Sequence, residues 1–152
     1  QQISGITASG NHTAFTPATG DTALDSISKA IQAVEVADYA ATAIMMNPAD
    51  WYAIARLKDT TNQYIFGAPS SALGNMLWGL PVVVTNSLTS GKLLVGAFNI
   101  SHQVFMRSGT VVEMFEQDDT NVQKNLLTVR AEARATLATY RAASVQYGNL
   151  TV

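Results

Sequence analysis

The residues able to do chemistry are few and scattered. His12 and His102 lie far apart, and neither sits in the His-x-x-x-His or His-Glu-x-x-His spacing that sets two metal ligands on one helix face. The chain has no cysteine, which excludes a thiolate nucleophile, a sulfur metal ligand and a disulfide frame. Ser90-Gly91-Lys92 has the shape of a phosphate-loop ending. No glycine stands at the required earlier spacing, however, and Leu93 replaces the hydroxyl residue that would hold magnesium, so the segment reads as a hairpin turn. Asp118-Asp119 sets two carboxylates together within the Gln117 to Lys124 connection, where a solvated loop is the simpler reading than a cation site. Asn11-His12-Thr13, Asn99-Ile100-Ser101 and Asn149-Leu150-Thr151 are glycosylation sequons, meaningful only on a secretory route. No catalytic constellation, metal or cofactor is expected, and the chain reads as a non-enzyme.

The elements that carry these residues must fit within one domain's worth of chain. A chain of 152 residues can bury about 70% of its unfolded surface. Charged residues make up 13% of it, against about 25% in an average domain, which suggests a surface made to be covered. Nine basic against eleven acidic residues give a net charge of -2, so no cationic field is available to hold a nucleic-acid backbone or an anionic membrane. Neither is expected as a direct partner. No signal peptide and no apolar run long enough to cross a bilayer is present in the sequence. The opening Gln1-Gln2-Ile3 lacks methionine, so a trimmed or processed piece of a longer chain is expected.

Residues 1–20 show no apolar period and read as a connecting arm. Thr22 and Asp25 have the spacing of a capping box, and Leu24, Ile27, Ile31 and Val34 recur on one helical face, predicting a helix to about Val36. Thr42 to Met46 reads as a buried strand. Asn47-Pro48-Ala49-Asp50 then supplies a cap, a first-turn proline and an acid at the positive helix end, followed by Trp51, Ile54, Ala55 and Leu57. This second helix is predicted to reach about Lys58. From Thr60 to Val112 there are 53 residues without Asp or Glu, and Val82-Val83-Val84 and Leu93-Leu94-Val95 read as strands of one sheet, continued by Gln103 to Met106 and Thr110 to Phe115. Two helices covering a mixed or antiparallel sheet would bury Ile27, Ile31, Trp51, Ile54, Leu57 and Trp78.

Composition alone would make Leu126 to Tyr140 a helix. Parity argues against it: Leu127, Val129, Ala131, Ala133, Ala135 and Leu137 alternate without a break with Thr128, Arg130, Glu132, Arg134 and Thr136. A helix would mix the two sets around its circumference. The alternation predicts a strand of about 50 Å, an arm projecting from a compact lobe.

Several motifs in register resemble the C-terminal half of tailed-phage major capsid proteins of the Hong Kong 97 type. They are Asn47-Pro48-Ala49-Asp50-Trp51 with Leu57-Lys58-Asp59, then Gln63-Tyr64-Ile65-Phe66-Gly67, then Leu77-Trp78-Gly79-Leu80-Pro81-Val82. Gly96-Ala97-Phe98, Lys124-Asn125-Leu126-Leu127-Thr128, Glu132, Arg134 and Tyr140-Arg141 extend the likeness over nearly the whole chain. The resemblance implies an α+β capsid fold: an arm (1–20), an axial domain (21–102), and peripheral-domain strands with a return to the axial domain (103–152). The family's N-terminal arm, extended loop and spine helix would precede Gln1. It implies a structural role in the virion, with assembly in the bacterial cytoplasm. The expected partners are further copies of the chain, in pentamers and hexamers, and the missing N-terminal part.

The resemblance also implies roles for particular residues. Gly67, Ala68, Pro69, Ser70, Ser71, Ala72 and Leu73 would form an acid-free loop facing the capsomer axis. Glu116, Asp118, Asp119 and Lys124 would meet neighbours at a junction between capsomers, near a threefold or quasi-threefold axis. Some members join subunits through a lysine-asparagine isopeptide bond assisted by a glutamate, and Asn125 and Glu132 match those positions. They lie about 23 Å apart along one strand and on opposite faces, so one chain cannot bring both to the same bond. Two alternatives stand beside the phage capsid reading: an encapsulin-like bacterial compartment shell, and such a self-crosslinking subunit.

Overall fold

The computed structural model describes residues 3–66, 74–117 and 121–151. A short strand, β1 (Thr13–Phe15), precedes the first helix, α1 (Ala23–Val36). The capping box is complete. Thr22 Oγ1 accepts from the Asp25 N–H at 3.2 Å while the Asp25 carboxylate accepts from the Thr22 N–H at 3.0 Å, so two orphan donors of the first turn are satisfied. At the far end the Tyr39 N–H bonds the Val34 carbonyl at 3.2 Å and the Asp38 N–H bonds the Glu35 carbonyl at 2.9 Å, with Asp38 at φ 63. This is a Schellman cap, and Tyr39 packs with Val34 against the core as such a cap requires.

Strand β2 (Ala43–Met46) runs into α2 (Pro48–Ala55), whose Asn47 cap accepts from the Ala49 N–H at 2.9 Å. Contrary to the sequence expectation, α2 stops at Ala55. The chain turns back on itself instead: Ile65 donates to the Leu57 carbonyl, Asp59 to that of Gln63, and Lys58 forms a bridge with Tyr64. These bonds take the backbone groups a further helical turn would have used, and Leu57, expected in the core, is left 36% exposed.

There follow β3 (Met76–Leu77), β4 (Leu80–Val84), β5 (Lys92–Gly96), α3 (Phe98–Ser101), β6 (His102–Phe115), α4 (Asn121–Lys124), β7 (Thr128–Thr139), a 3₁₀ turn (Ala142–Ser144) and β8 (Val145–Asn149). The chain divides into two compact units, one of Ile6–His102 with Thr139–Val152, the other of Gln103–Ala138 with Gln1–Gly5.

In the first unit six strands run in the order β1-β8-β5-β2-β4-β3. The sheet is mixed: β2 is parallel to β4 and antiparallel to β5, and β8 is antiparallel to β5 and parallel to β1. Parity divides its side chains between two layers. Ile44, Met46, Val82, Leu93 and Val95 join Ile27, Val34, Trp51 and Ile54 of the helices, while Met45, Leu94, Val145 and Tyr147 join Leu88, Ile6 and Phe98.

Three expectations are corrected by this topology. Ser90-Gly91-Lys92 turns the chain, with Gly91 at φ 77, but closes no hairpin, because β4 and β5 flank β2. Gln103–Phe115 does not continue this sheet; it is one strand, β6, paired only with β7 in the second unit. Trp78 is no core anchor. With Gly79 it forms the β3–β4 turn, both at positive φ as a tight hairpin needs, and this leaves its indole 55% exposed.

The second unit is the β6–β7 ribbon. Residues 128–139 form a strand, as their alternation predicts. Glu113 faces Arg130, while farther along Arg107 shares a notch with Arg134, so ascending numbers on β6 meet descending numbers on β7 and the strands are antiparallel.

Candidate functional site

The ribbon sorts its side chains by face. Arg130 Nη2 holds the Glu113 carboxylate at 2.6 Å, its Nε lies 3.7 Å from Glu132, and its guanidinium sits 5.1 Å from the Phe115 ring centroid, so these residues share one face. The odd positions of β7 and the even positions of β6 form the other face: Val129, Ala131, Ala133 and Ala135 with Val104, Met106, Val112 and Met114. The chain leaves this face bare. Met114 is 68% exposed and Met106 66%. Ser108 and Thr110 interrupt this face, and Phe105, Val111 and Phe115 are exposed on the other, so a two-stranded ribbon with this much uncovered apolar surface is marginal in water by itself.

Of the residues singled out by sequence, Glu116, Lys124 and Asn125 fall around the ribbon's end. Glu116 lines an open cavity of about 730 Å³ with Met114, Phe115, Gln117, Leu127, Thr128 and Arg130. Lys124 ends α4, and Asn125 follows at φ 51, a left-handed position asparagine tolerates better than most residues. Asn121 Nδ2 donates to Thr128 Oγ1 at 2.7 Å and so ties α4 to the start of β7. Glu132 is exposed beside Arg130, so the chain by itself does not shield this carboxylate from water as proton abstraction from a lysine would require. Gly67 to Leu73, Asp118 and Asp119 lie outside the described residues.

The remaining candidates have structural roles. Asp50 is buried in α2 and accepts from Ser90 Oγ at 2.7 Å and from the Gly91 N–H at 2.8 Å. A carboxylate thus takes the amide that a phosphate would need. His102 Nε2 lies 2.9 Å from the Asn11 carbonyl and its Nδ1 2.7 Å from Ser101 Oγ; His12 Nδ1 lies 3.1 Å from the Ile6 carbonyl. His102 clips the N-terminal segment to the body of the first unit, while the His12 bond stays within that segment and its ring meets Tyr147 of β8 edge-on at 5.0 Å. Among the described residues no cluster of three or more metal-ligating side chains occurs.

Sequence reasoning missed the bare face of β6. Its signal was present in the alternation of Val104, Met106, Val112 and Met114, which Ser108 and Gly109 interrupt and so disguise as two short strands.

A mixed sheet packed against two helices, with a separate long two-stranded ribbon, defines an α+β fold. The sequence matches the Phage capsid family over residues 1–150, and the chain belongs to that family. It is 43% identical over 131 residues to the major capsid protein of Enterobacteria phage HK97, across 86% of this chain and 34% of that protein. Among solved structures it is similar to a chain of Microbacterium phage Oxtober96, with a TM-score of 0.72, 18% identity, and 93% and 51% of the two chains covered. It is also similar to a chain of Mycobacterium phage Ogopogo, with a TM-score of 0.70, 15% identity, and coverage of 92% and 53%. A third likeness is to the capsid of an empty GTA particle, with a TM-score of 0.69, 15% identity, and coverage of 93% and 50%. These likenesses show the Hong Kong 97-type capsid fold. The chain spans about a third of the length of its curated relative and about half that of the solved chains.

Proposed function

We propose that the chain is part of the structural subunit of a phage or prophage icosahedral capsid, a virion component that assembles with copies of itself into pentamers and hexamers in the host cytoplasm. The observation that carries this reading is the apolar face of the ribbon, bare in the single chain. In this reading the six-stranded unit is the axial domain around the capsomer centre, and the ribbon belongs to the peripheral domain. Gly67 to Leu73 face the capsomer axis, where a repeated charge of one sign would repel itself and where the sequence carries no acid. Glu116, Asp118, Asp119 and Lys124 lie at a junction between capsomers, where both signs of charge let one subunit's acid meet the next subunit's base. The role is structural, not enzymatic.

The relatives being phage capsid proteins, a bacterial compartment shell is not favoured. A self-crosslinking subunit is not favoured either, given the exposed Glu132.

The test is self-association of the capsid subunit carrying this chain, followed by sedimentation velocity, with Val112→Glu and Val129→Glu on the bare face. The wild type is expected to sediment as capsomers or shells, and the double variant as a folded monomer. Equal sedimentation of the two would contradict the reading.

A further inference from the structure

The last turn of α1 carries charge that the single chain does not use. Glu35 and Asp38 stand at the helix C-terminus, where the dipole is already negative, and no basic residue lies in that turn. Among the described residues neither carboxylate is ion-paired. Asp38 also holds φ 63, the left-handed conformation that glycine or asparagine fills at this cap position. Val36, between the two acids, is 77% exposed. An acid doubly disfavoured at its own position, beside a bare valine, points to a surface completed by a cation from elsewhere.

The ribbon carries the converse. Arg107 and Arg134 line one notch of about 250 Å³ with Phe105, Met106 and Ala135. Among the described residues neither arginine is ion-paired, whereas Lys29 holds Asp21 and Arg130 holds Glu113. Two guanidiniums at one notch repel each other until an anion sits between them.

We propose that the end of α1 in one copy docks into the arginine notch of a second copy, with Val36 against the apolar lining and Glu35 and Asp38 meeting Arg107 and Arg134. The proposal rests on the capsid reading and names one contact within it. Charge matches: two acids beside an exposed valine on one side, and two arginines beside Phe105 and Met106 on the other. Arginine-carboxylate pairs can be bidentate, which fixes register as well as adding energy. Knob and notch are different patches, so the contact is heterologous and propagates head to tail, closing into a ring if the rotation allows. A nucleic-acid phosphate would satisfy the arginines but leave the acids of α1 unexplained.

The test uses the capsid subunit carrying this chain, with Asp38→Arg and Arg134→Glu made separately, and circular dichroism to check that each folds. Each variant alone is expected to lose about tenfold or more in shell yield, since like charges then face each other. Mixed in equal amounts, D38R and R134E should recover six-membered capsomers, in which the two alternate so that the new cation meets the new acid and the retained Asp38 meets the retained Arg134, whereas a five-membered ring keeps one mismatched pair. Within a single chain both pairs would stay mismatched. Should R134E fail to fold, Arg134→Gln should still weaken assembly and flatten its salt dependence. Single variants that assemble like the wild type, or a mixture that stays dissociated, would overturn the contact while leaving the capsid reading intact. R134E shells of normal yield that have lost bound nucleic acid would overturn it in favour of a phosphate site. A wild type that forms no shells would remove the capsid reading itself, and this contact with it.

Discussion

The carboxylate of Asp50 accepts the hydroxyl hydrogen of Ser90 at 2.7 Å across 40 positions of sequence, with the Gly91 N–H beside it at 2.8 Å. The buried Asp50 thus fastens the first turn of α2 to the connection between β4 and β5. It also fixes the turn that the sequence reads as a hairpin rather than as a phosphate-loop ending.

Removing the acceptor leaves the half-buried Gly91 amide without its partner, while the exposed Ser90 hydroxyl turns to water. Asp50→Ala is expected to cost about 1 to 3 kcal/mol, and Ser90→Ala about 1 kcal/mol or less, because the second change deletes only one bond of the two and at an exposed hydroxyl. Urea denaturation of both variants checks this ordering. Equal losses would mean that the Gly91 bond adds nothing, and no loss at Ser90 that Asp50 acts without it.

The two tryptophans should behave in opposite ways. Trp51 is 4% exposed and packs in the helix-covered layer, so Trp51→Ala should cost about 3 to 5 kcal/mol. Trp78 sits in a left-handed turn with its ring in solvent, so Trp78→Gly should be neutral or stabilising by up to about 1 kcal/mol. Thermal melts of the two variants distinguish them. A large loss at Trp78 would place its indole in a contact within the fold.

Gly148 lets two strands approach more closely than any side chain permits. A Cβ built there would overlap the Phe15 carbonyl, at the parallel pairing of β8 with β1. Gly148→Ala should therefore detach β1 at a cost of about 1 to 3 kcal/mol. Hydrogen exchange should show lost protection across residues 13–15 while β5 stays protected. Unchanged protection of β1 would contradict the close approach.

Acid should weaken the first unit through three surface carboxyls. Asp21 is held below its ordinary value of 3.8 first by its hydrogen bond from Lys29, Asp25 by that from Thr22, and Asp59 by that from Thr61. Each has a lower pKa folded than unfolded, so its contribution is present above about pH 4 and lost as pH falls through the folded value. Thr22→Ala should flatten the acid side of a melting-temperature profile measured from about pH 6 down to about pH 2. An identical slope in the variant would show that Asp25 draws nothing from its cap.

Legibility in the sequence followed the range of the interactions. The Thr22–Asp25 box, the Asn47-Pro48 helix start and the alternation of β7 are local, and each element forms where its signal stands. The end of α2 was not legible, since it depends on backbone bonds from Asp59, Tyr64 and Ile65 that compete with a further helical turn. Trp78 misled because bulk ordinarily means core, while a mirror-type turn dictated its backbone. Strand β6 was read as two pieces of the wrong sheet, because partner choice between strands is a tertiary fact that periodicity does not carry. The Schellman cap at Asp38 was hidden by an acid where glycine is usual.

Electron microscopy of the capsid subunit carrying this chain, expressed alone and purified under native conditions, tests the central claim most directly. Closed icosahedral shells whose capsomers place the six-stranded unit at their centres and bury the apolar face of the β6–β7 ribbon between subunits are the expected result. Monodisperse monomers at high concentration, or shells in which that face stays open to solvent, would contradict it.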